Sequence, residues 1–333
     1  MPTVRKLVAT SLTPDFRAAA QLVEEEMEGP GPGEVLVRNR VAGVNASDVN
    51  MTAGRYDPGA VPPFDLGFEA AGVVEAVGPG VEGVAEGDAV AFSTLGCGFR
   101  DLAVVPAKLA VPVPEPSAEA LSVLVSGLTA SIALEEVGEV QAGETVLVTA
   151  AAGGTGQYAV QLAKRAGARV LGTCGSDAKA ELLREIGCDR PINYRTESVR
   201  SVLEAEAPAG LDVVYESVGG ALFDTALRAL AVKGRLVSIG FVSEYVDGPE
   251  RPTDVRVYHR LLAKSASVRG FFLPQFAGHF REHMGRLLGL VASGELTVAV
   301  DPTEFRGLGA VADAVEHLHS GRSRGKVVVR LGD

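Results

Sequence analysis

Residues 145–176, TVLVTAAAGGTGQYAVQLAKRAGARVLGTCGS, leave the chain few folds to choose from. Thr145–Thr149 is a short apolar run dense in β-branched residues, which predicts a buried strand. A turn of small residues follows, Ala150–Gly156. Gln157–Arg165 then predicts a helix, with Tyr158, Val160, Leu162 and Ala163 as its apolar surface. Gly167 ends the helix and Arg169–Thr173 predicts a second strand. Strand, glycine turn, helix and strand in about thirty residues make a βαβ unit.

The glycines have a chemical reading. A dinucleotide's pyrophosphate sits at a helix N-terminus, where free backbone N–H groups and the macrodipole favour an anion. Gly153 and Gly154 keep Cβ atoms away from such a phosphate, and Gly156 lets helix and strand pack closely. Against G-x-G-x-x-G, the first glycine is replaced by Ala151. A bare glycine turn is also a common structural joint, and it is the full strand–turn–helix–strand context that carries the nucleotide reading. NAD enzymes place Asp or Glu at the end of the second strand for the ribose 2′-hydroxyl. Here that strand ends at Cys174, followed by Gly175, Ser176 and, shortly after, Lys179. A small cavity, a hydroxyl and an ammonium suit the 2′-phosphate of NADPH. Asp177 reads as the N-cap of the next helix.

Composition excludes other classes. There are 31 basic against 42 acidic residues, a formal charge of −11, with no block of consecutive Lys or Arg. Nucleic acid and anionic membranes are thereby disfavoured as partners. Cys97, Cys174 and Cys188 form no C-x-x-C pair and no disulfide framework, which suits a reducing cytoplasm. No signal-peptide core and no uninterrupted apolar run of membrane-spanning length is found.

Up to Val111 the chain predicts short strands with Gly- and Pro-rich turns, hence a small barrel-like domain. Two loops interrupt it, Gly43–Pro58 and Val61–Gly72. After the connector Val111–Pro116, Ser117 caps a helical region to Val137, broken near Gly127. Strands at Arg190–Tyr194, Asp212–Glu216, Arg235–Ile239 and Ser267–Phe272 then alternate with helices at Ala178–Ile186, Val199–Glu206 and Ala221–Ala229. The fold class is therefore α/β, a doubly wound parallel Rossmann sheet with a β-rich second domain. Ligands bind at the carboxyl ends of such strands, here Ser217 and Val218, Gly240 and Phe241, and Phe271, Phe272 and Leu273. Glu244–Ala263 predicts a mobile lid or loop, and helices near His279–Ala292 and Leu308–His319 precede a closing strand Lys326–Leu331.

The stretches VRNRVAGVNASDVNMTAGRYDP, VTAAAGGTGQYAVQLAK, GTCGSDAKAELLREIGCDRPINYRTE, DVVYESVGG and KSASVRGFFL resemble the zinc-free quinone oxidoreductase and enone reductase branch of the medium-chain dehydrogenase/reductases. The resemblance implies a GroES-like catalytic domain from residues 1–122 and 273–333, a Rossmann domain from 123–272, and a homodimer through the sixth strand. It implies NADPH held by Thr155, Lys179 and Tyr194 at the adenosine end. Ser217, Ile239, Tyr245, Phe271–Leu273 and Ser323 would line the middle and nicotinamide end. Zinc-dependent relatives carry a Cys in the first loop and Gly-His-Glu in the second. The matching positions here are Asn45 and Phe68, so no metal is expected.

The implied reaction reduces the carbon–carbon double bond of an α,β-unsaturated ketone, such as a 15-oxoprostaglandin-like enone. Negative charge then develops on the ketone oxygen and needs hydrogen-bond donors, each worth roughly 3 kcal/mol. Asn45, Tyr56 and Tyr245 are the candidates, beside the coenzyme's ribose hydroxyl. Each also has a structural reading: Asn45 as cap of a helix starting at Ala46, Tyr56 as a packed loop aromatic, Tyr245 as a lid contact. Quinones are the alternative substrates, and a non-catalytic NADPH-binding protein is the alternative of another class. His279, Glu282 and His283 spell an inverted zinc-protease pattern without its fold context, and read as a solvated helix face.

Overall fold

Up to residue 112 apolar residues alternate and turns are rich in Gly and Pro, and the chain forms mostly strands there. They are β1 (Thr3–Ala9), β2 (Ala20–Glu26), β3 (Glu34–Gly43), β4 (Phe64–Asp65), β5 (Glu69–Val77), β6 (Ala89–Ser93), β7 (Leu102–Pro106) and β8 (Val111–Pro112). β1 pairs antiparallel with β2 and β4. β3, β5, β6 and β8 follow one another in a second antiparallel sheet, and β7 and the closing strand Val328–Arg330 both pair with β3. Val35, Val37, Val74, Phe92 and Val105 fill the core of this barrel-like, GroES-like domain. The β3–β5 register shifts between Asn39 and Val41. Such a bulge re-aims the strand end that leads into the first loop.

The coordinates are a computed structural model describing residues 3–57, 59–248 and 256–332, and they divide into two units: Met1–Val125 with Ala299–Asp333, and Ser126–Val298. The second unit holds β9 (Thr145–Val148), β10 (Arg169–Cys174), β11 (Arg190–Asn193), β12 (Leu211–Glu216), β13 (Leu230–Ser238) and β14 (Ser267–Gly270). All are parallel, in the order β11-β10-β9-β12-β13-β14. The order reverses between β9 and β12, the point at which doubly wound sheets bind ligands. Helices Gly156–Arg165, Asp177–Glu185, Val199–Glu206 and Gly220–Arg228 connect these strands. Leu147, Leu171, Ile192, Leu203, Val214 and Leu236 share one core.

Two expectations are corrected. The helical region after Ser117 does not break at Gly127. It continues to Val137, widening through π-type turns at Val123–Gly127 and Ala133–Val137. Gly127 serves close packing instead: a methyl there would lie 3.3 Å from both Leu287 and Tyr158. The second division between units falls at Val298/Ala299 and not at Leu273, because helix Phe280–Ala292 buries Leu287 within the second unit. Residues 249–255 of the expected lid Glu244–Ala263 lie outside the described residues, and its remainder contains a short helix, Tyr258–Leu262. Finally, helix Ala118–Val137 is long and apolar enough by composition to cross a membrane, yet 78% of its apolar window is buried in the protein.

Candidate active site

In the second unit, β9 runs into the small-residue turn, and the next helix starts at Gly156 with Thr155 as its N-cap. No side chain caps this end. The Thr155 hydroxyl instead accepts from the Tyr215 hydroxyl at 3.1 Å. Gly156 is required by close approach: a methyl there would stand 2.7 Å from the Ala151 Cα. Ala151, which stands where the first glycine is usual, is fully buried, and it faces Gly172 on β10. A Cβ at Gly172 would meet the Ala151 methyl at 2.9 Å, so the lost glycine of the turn is matched by one on the neighbouring strand.

At the carboxyl end of β10 the helix N-cap is Ser176, not Asp177. The Ser176 hydroxyl accepts from the Lys179 backbone N–H at 3.3 Å. Asp177 is the first helical residue and accepts from Asn193 Nδ2 at 2.8 Å. The Tyr194 hydroxyl lies over the backbone of Gly175, 2.6 Å from where a Cβ would stand. Gly175, Ser176, Lys179 and Tyr194 thus form one cluster, and the carboxylate closest in sequence is already engaged.

The other expected coenzyme residues of this unit lie at the ends of β12, β13 and β14. Ser217 is stitched to the turn, its N–H donating to Thr149 Oγ1 at 2.9 Å and its hydroxyl to the Thr149 carbonyl at 3.3 Å. Val218 and Gly219 donate to Glu216 Oε1 at 2.9 and 3.0 Å, and Ile239 donates to the Glu216 carbonyl. Burial holds the Glu216 carboxyl above the usual carboxylate range. Tyr245 packs against the residues that follow β13. It is 6% exposed, its ring meets Phe241 edge-on at 4.8 Å, and its hydroxyl accepts from the Phe241 N–H, which follows Gly240, at 3.4 Å. Phe271 extends β14 by donating to the Ser238 carbonyl and stacks on Phe276, while Phe272 is exposed and Leu273 opens a 3₁₀ turn. Ser323 lies in the first unit, in the loop leading to Lys326.

The first unit gathers Asn45, Tyr56, Phe68 and Glu69. Asn45 does not cap a helix with its side chain. The helix is Ser47–Thr52 with Ala46 as N-cap. Instead Asn45 Nδ2 donates to Glu69 Oε1 at 2.9 Å, and Asn45 Oδ1 accepts from Lys326 Nζ at 2.8 Å. Lys326 Nζ also donates to Glu69 Oε1 at 2.6 Å. Gly43 makes this possible, since a methyl there would overlap the Glu69 carboxylate. The backbone N–H of Asn45 donates to Asp48 Oδ2 at 2.8 Å, and burial pushes the Asp48 carboxyl up to about 8. Tyr56 is 42% exposed, packs edge-on against Phe68, and its hydroxyl accepts from Asn50 Nδ2 at 3.4 Å.

This donor set does not fit zinc. An amide and a benzene ring replace the thiolate and imidazole of metal-dependent relatives, and the Lys326 ammonium is bonded to Asn45 and Glu69. Among the described residues one other group has metal-ligand spacing, Glu136, His279 and His283, whose ligand atoms lie within 4.8 Å of one another. His283 is not on a solvated face. It is 2% exposed and faces Ser131 at 2.8 Å and Arg286 at 3.2 Å through Nδ1. The ring is held by Ser131 and Arg286 through Nδ1, with Nε2 3.5 Å from Glu136 Oε1. Thiol chemistry is equally disfavoured: burial raises Cys97 and Cys174, and Cys188 to about 12.

Residues 31–115 match the alcohol dehydrogenase GroES-like domain, and residues 154–292 match the zinc-binding dehydrogenase domain. Prostaglandin reductase-3 of Mus musculus is 50% identical over 343 residues, covering 99% of this chain and 90% of that protein. A probable quinone oxidoreductase of Leishmania amazonensis is 48% identical and covers 98% of both chains. The solved structure of Escherichia coli quinone oxidoreductase complexed with NADPH superposes with a TM-score of 0.84 at 28% identity, covering 98% of this chain and 99% of that one.

Proposed function

The chain belongs to the medium-chain dehydrogenase/reductase superfamily, in the branch of prostaglandin reductase-3 and the quinone oxidoreductases, and on that premise we propose that it reduces α,β-unsaturated ketones with NADPH. The observation that carries the coenzyme reading is the cluster Ser176, Lys179 and Tyr194 at the end of β10, beside the glycine turn. When bound, NADPH supplies hydride to the carbon β to the ketone. Gly153, Gly154 and Thr155 lead into an uncapped helix start whose N–H groups suit the pyrophosphate. Ser176 and Lys179 take the 2′-phosphate with Tyr194 beside them. The backbone at Ser217–Val218, Ile239–Phe241 and Phe271–Leu273, with Tyr245 beside it, orients the nicotinamide end, and Ser323 is carried over from the family resemblance as a further coenzyme residue. Asn45, Tyr56 and Tyr245 donate to the ketone oxygen as it becomes an enolate.

Steady-state kinetics with NADPH and NADH over trans-enones and benzoquinones test this reading. Turnover of an enone with NADPH supports it. Faster turnover of a benzoquinone would favour the quinone reading, and tight NADPH binding with no turnover would overturn both. Since several donors share the developing charge, Asn45→Ala is expected to lower kcat about tenfold, and Tyr56→Phe and Tyr245→Phe roughly threefold each. Unchanged turnover in all three would remove these donor assignments.

Two further properties follow from the same reading. The protein works in the cytoplasm without a membrane partner, which its three free, buried cysteines suit. It forms a homodimer through β14, the edge of the parallel sheet, because an open edge offers unpaired N–H and C=O groups. Light scattering at micromolar concentration should give twice the mass of one chain, and a monomer would exclude this assembly.

A further inference from the structure

Lys326 is 257 residues from Glu69 in sequence, yet their side chains meet at 2.6 Å with 1% and 0% exposure. The three hydrogens of its ammonium are all placed: on the Val44 carbonyl at 3.2 Å, on Asn45 Oδ1 at 2.8 Å and on Glu69 Oε1 at 2.6 Å. Its backbone is pinned as well, its N–H donating to the Ala299 carbonyl and its carbonyl accepting from the Asp301 N–H. Asn45 Nδ2 closes the triangle on Glu69 Oε1 at 2.9 Å.

Burying such an ion pair is seldom a gain in stability, since well-packed apolar side chains of similar volume usually do as well. What the pair does is assign the ends of an amide. An ammonium only donates and a carboxylate only accepts. With Oδ1 on Lys326 and Nδ2 on Glu69, both contacts of Asn45 are attractive. Turned over, the amide would set its NH₂ against the ammonium and its oxygen against the carboxylate. One Nδ2 hydrogen is used by Glu69, and the second has no partner among the described residues, on a half-buried side chain.

We propose that Lys326 is a positioning residue: with Glu69 it locks the Asn45 amide so that an N–H, and never the amide oxygen, is offered to the substrate. The ligand group matched is one that presents an acceptor there, such as a ketone or quinone oxygen. This rests on the reductase reading above for the identity of the acceptor, but the lock itself does not depend on turnover.

The test replaces the pair together, so that no buried charge is left alone: Lys326→Met with Glu69→Met, and separately Lys326→Gln with Glu69→Gln, whose amides fill the space without fixing polarity. In a folded double variant kcat for an enone is expected to fall about tenfold, with KM and NADPH binding within roughly twofold. Adding Asn45→Ala should then cost less than about twofold, against about tenfold in the wild type, because the residues act as one unit. Selective ¹⁵N-asparagine labelling reads the lock without turnover. The Asn45 side-chain amide should show one hydrogen protected from exchange in the wild type and none in the double variants. Wild-type kcat in either folded pair, a full tenfold loss on adding Asn45→Ala, or unchanged amide protection would overturn the proposal. Absence of any NADPH-dependent turnover in the wild type, with the amide protected as expected, would instead fault the reductase reading alone.

Discussion

Lys179→Glu is expected to lower kcat/KM with NADPH by about two orders of magnitude while leaving kcat/KM with NADH within roughly threefold. Lys179 is half-buried at the start of helix Asp177–Glu185, where its backbone N–H is held by the Ser176 hydroxyl. Losing a charge-assisted hydrogen bond to a phosphate costs roughly 1.5–3 kcal/mol, and the new carboxylate adds repulsion against the same group. A total of about 3 kcal/mol corresponds to roughly a hundredfold. NADH carries no 2′-phosphate and feels neither effect. Asp177 does not rescue NADH specificity, since it lies one residue beyond the cap and is bonded to Asn193. The measurement is the ratio of kcat/KM for the two coenzymes at one ionic strength. An equal loss with both would mean that Lys179 acts on the fold and not on the phosphate.

Asp48→Asn is expected to stabilise the protein at alkaline pH and to do little near pH 4.5. The Asp48 carboxyl is pushed up to about 8 chiefly by burial, with Glu69 adding to the rise, and with Lys326 and the hydrogen bond from the Asn45 N–H opposing it. Its ordinary value is 3.8. Between those values the folded protein holds a proton that the unfolded chain has released. Stability is therefore fullest below the unfolded value and falls as pH rises, by up to about 1.4 kcal/mol per pH unit, levelling off above the folded value. Allowing for relaxation around the buried charge, about 3 kcal/mol of this remains at pH 8.5. Asparagine imitates the protonated acid and does not titrate. The gap in Tm between variant and wild type should thus widen by about 6 °C or more from pH 4.5 to 8.5. A gap that stays constant with pH would mean Asp48 is ionised in the folded protein.

The glycine turn and the Asn45 cluster differ in how visible they are in one dimension. The nucleotide turn is local: strand, turn, helix and strand are contiguous, so β9, the turn and helix Gly156–Arg165 are legible from the order of residue types. Even there, register is decided elsewhere. Ser176 and Asp177 are both good N-caps, and the hydrogen bond from Lys179 chooses between them. Ala151 looks like a defect in the glycine pattern until Gly172 is seen opposite it on β10. Gly127 looks like a helix breaker but meets Leu287 and Tyr158. His283 looks solvated because H-x-x-E-H on a helix gives no hint of Ser131, 152 residues away in sequence.

Lys326 leaves one faint trace, a lysine at the head of the apolar run KVVV, where a strand enters the core. Its partners come from β5 and from the loop after β3, and no spacing rule connects the three.

From its residues alone this chain is a doubly wound α/β protein with a β-rich companion domain, because strand and helix periodicities and turn chemistry act over a few residues at a time. Tertiary structure alone decides which way the Asn45 amide points, which carboxyl stays protonated and which histidine is buried. Hydrogen-bond polarity and desolvation depend on what packs against a group, and chain neighbours seldom supply it.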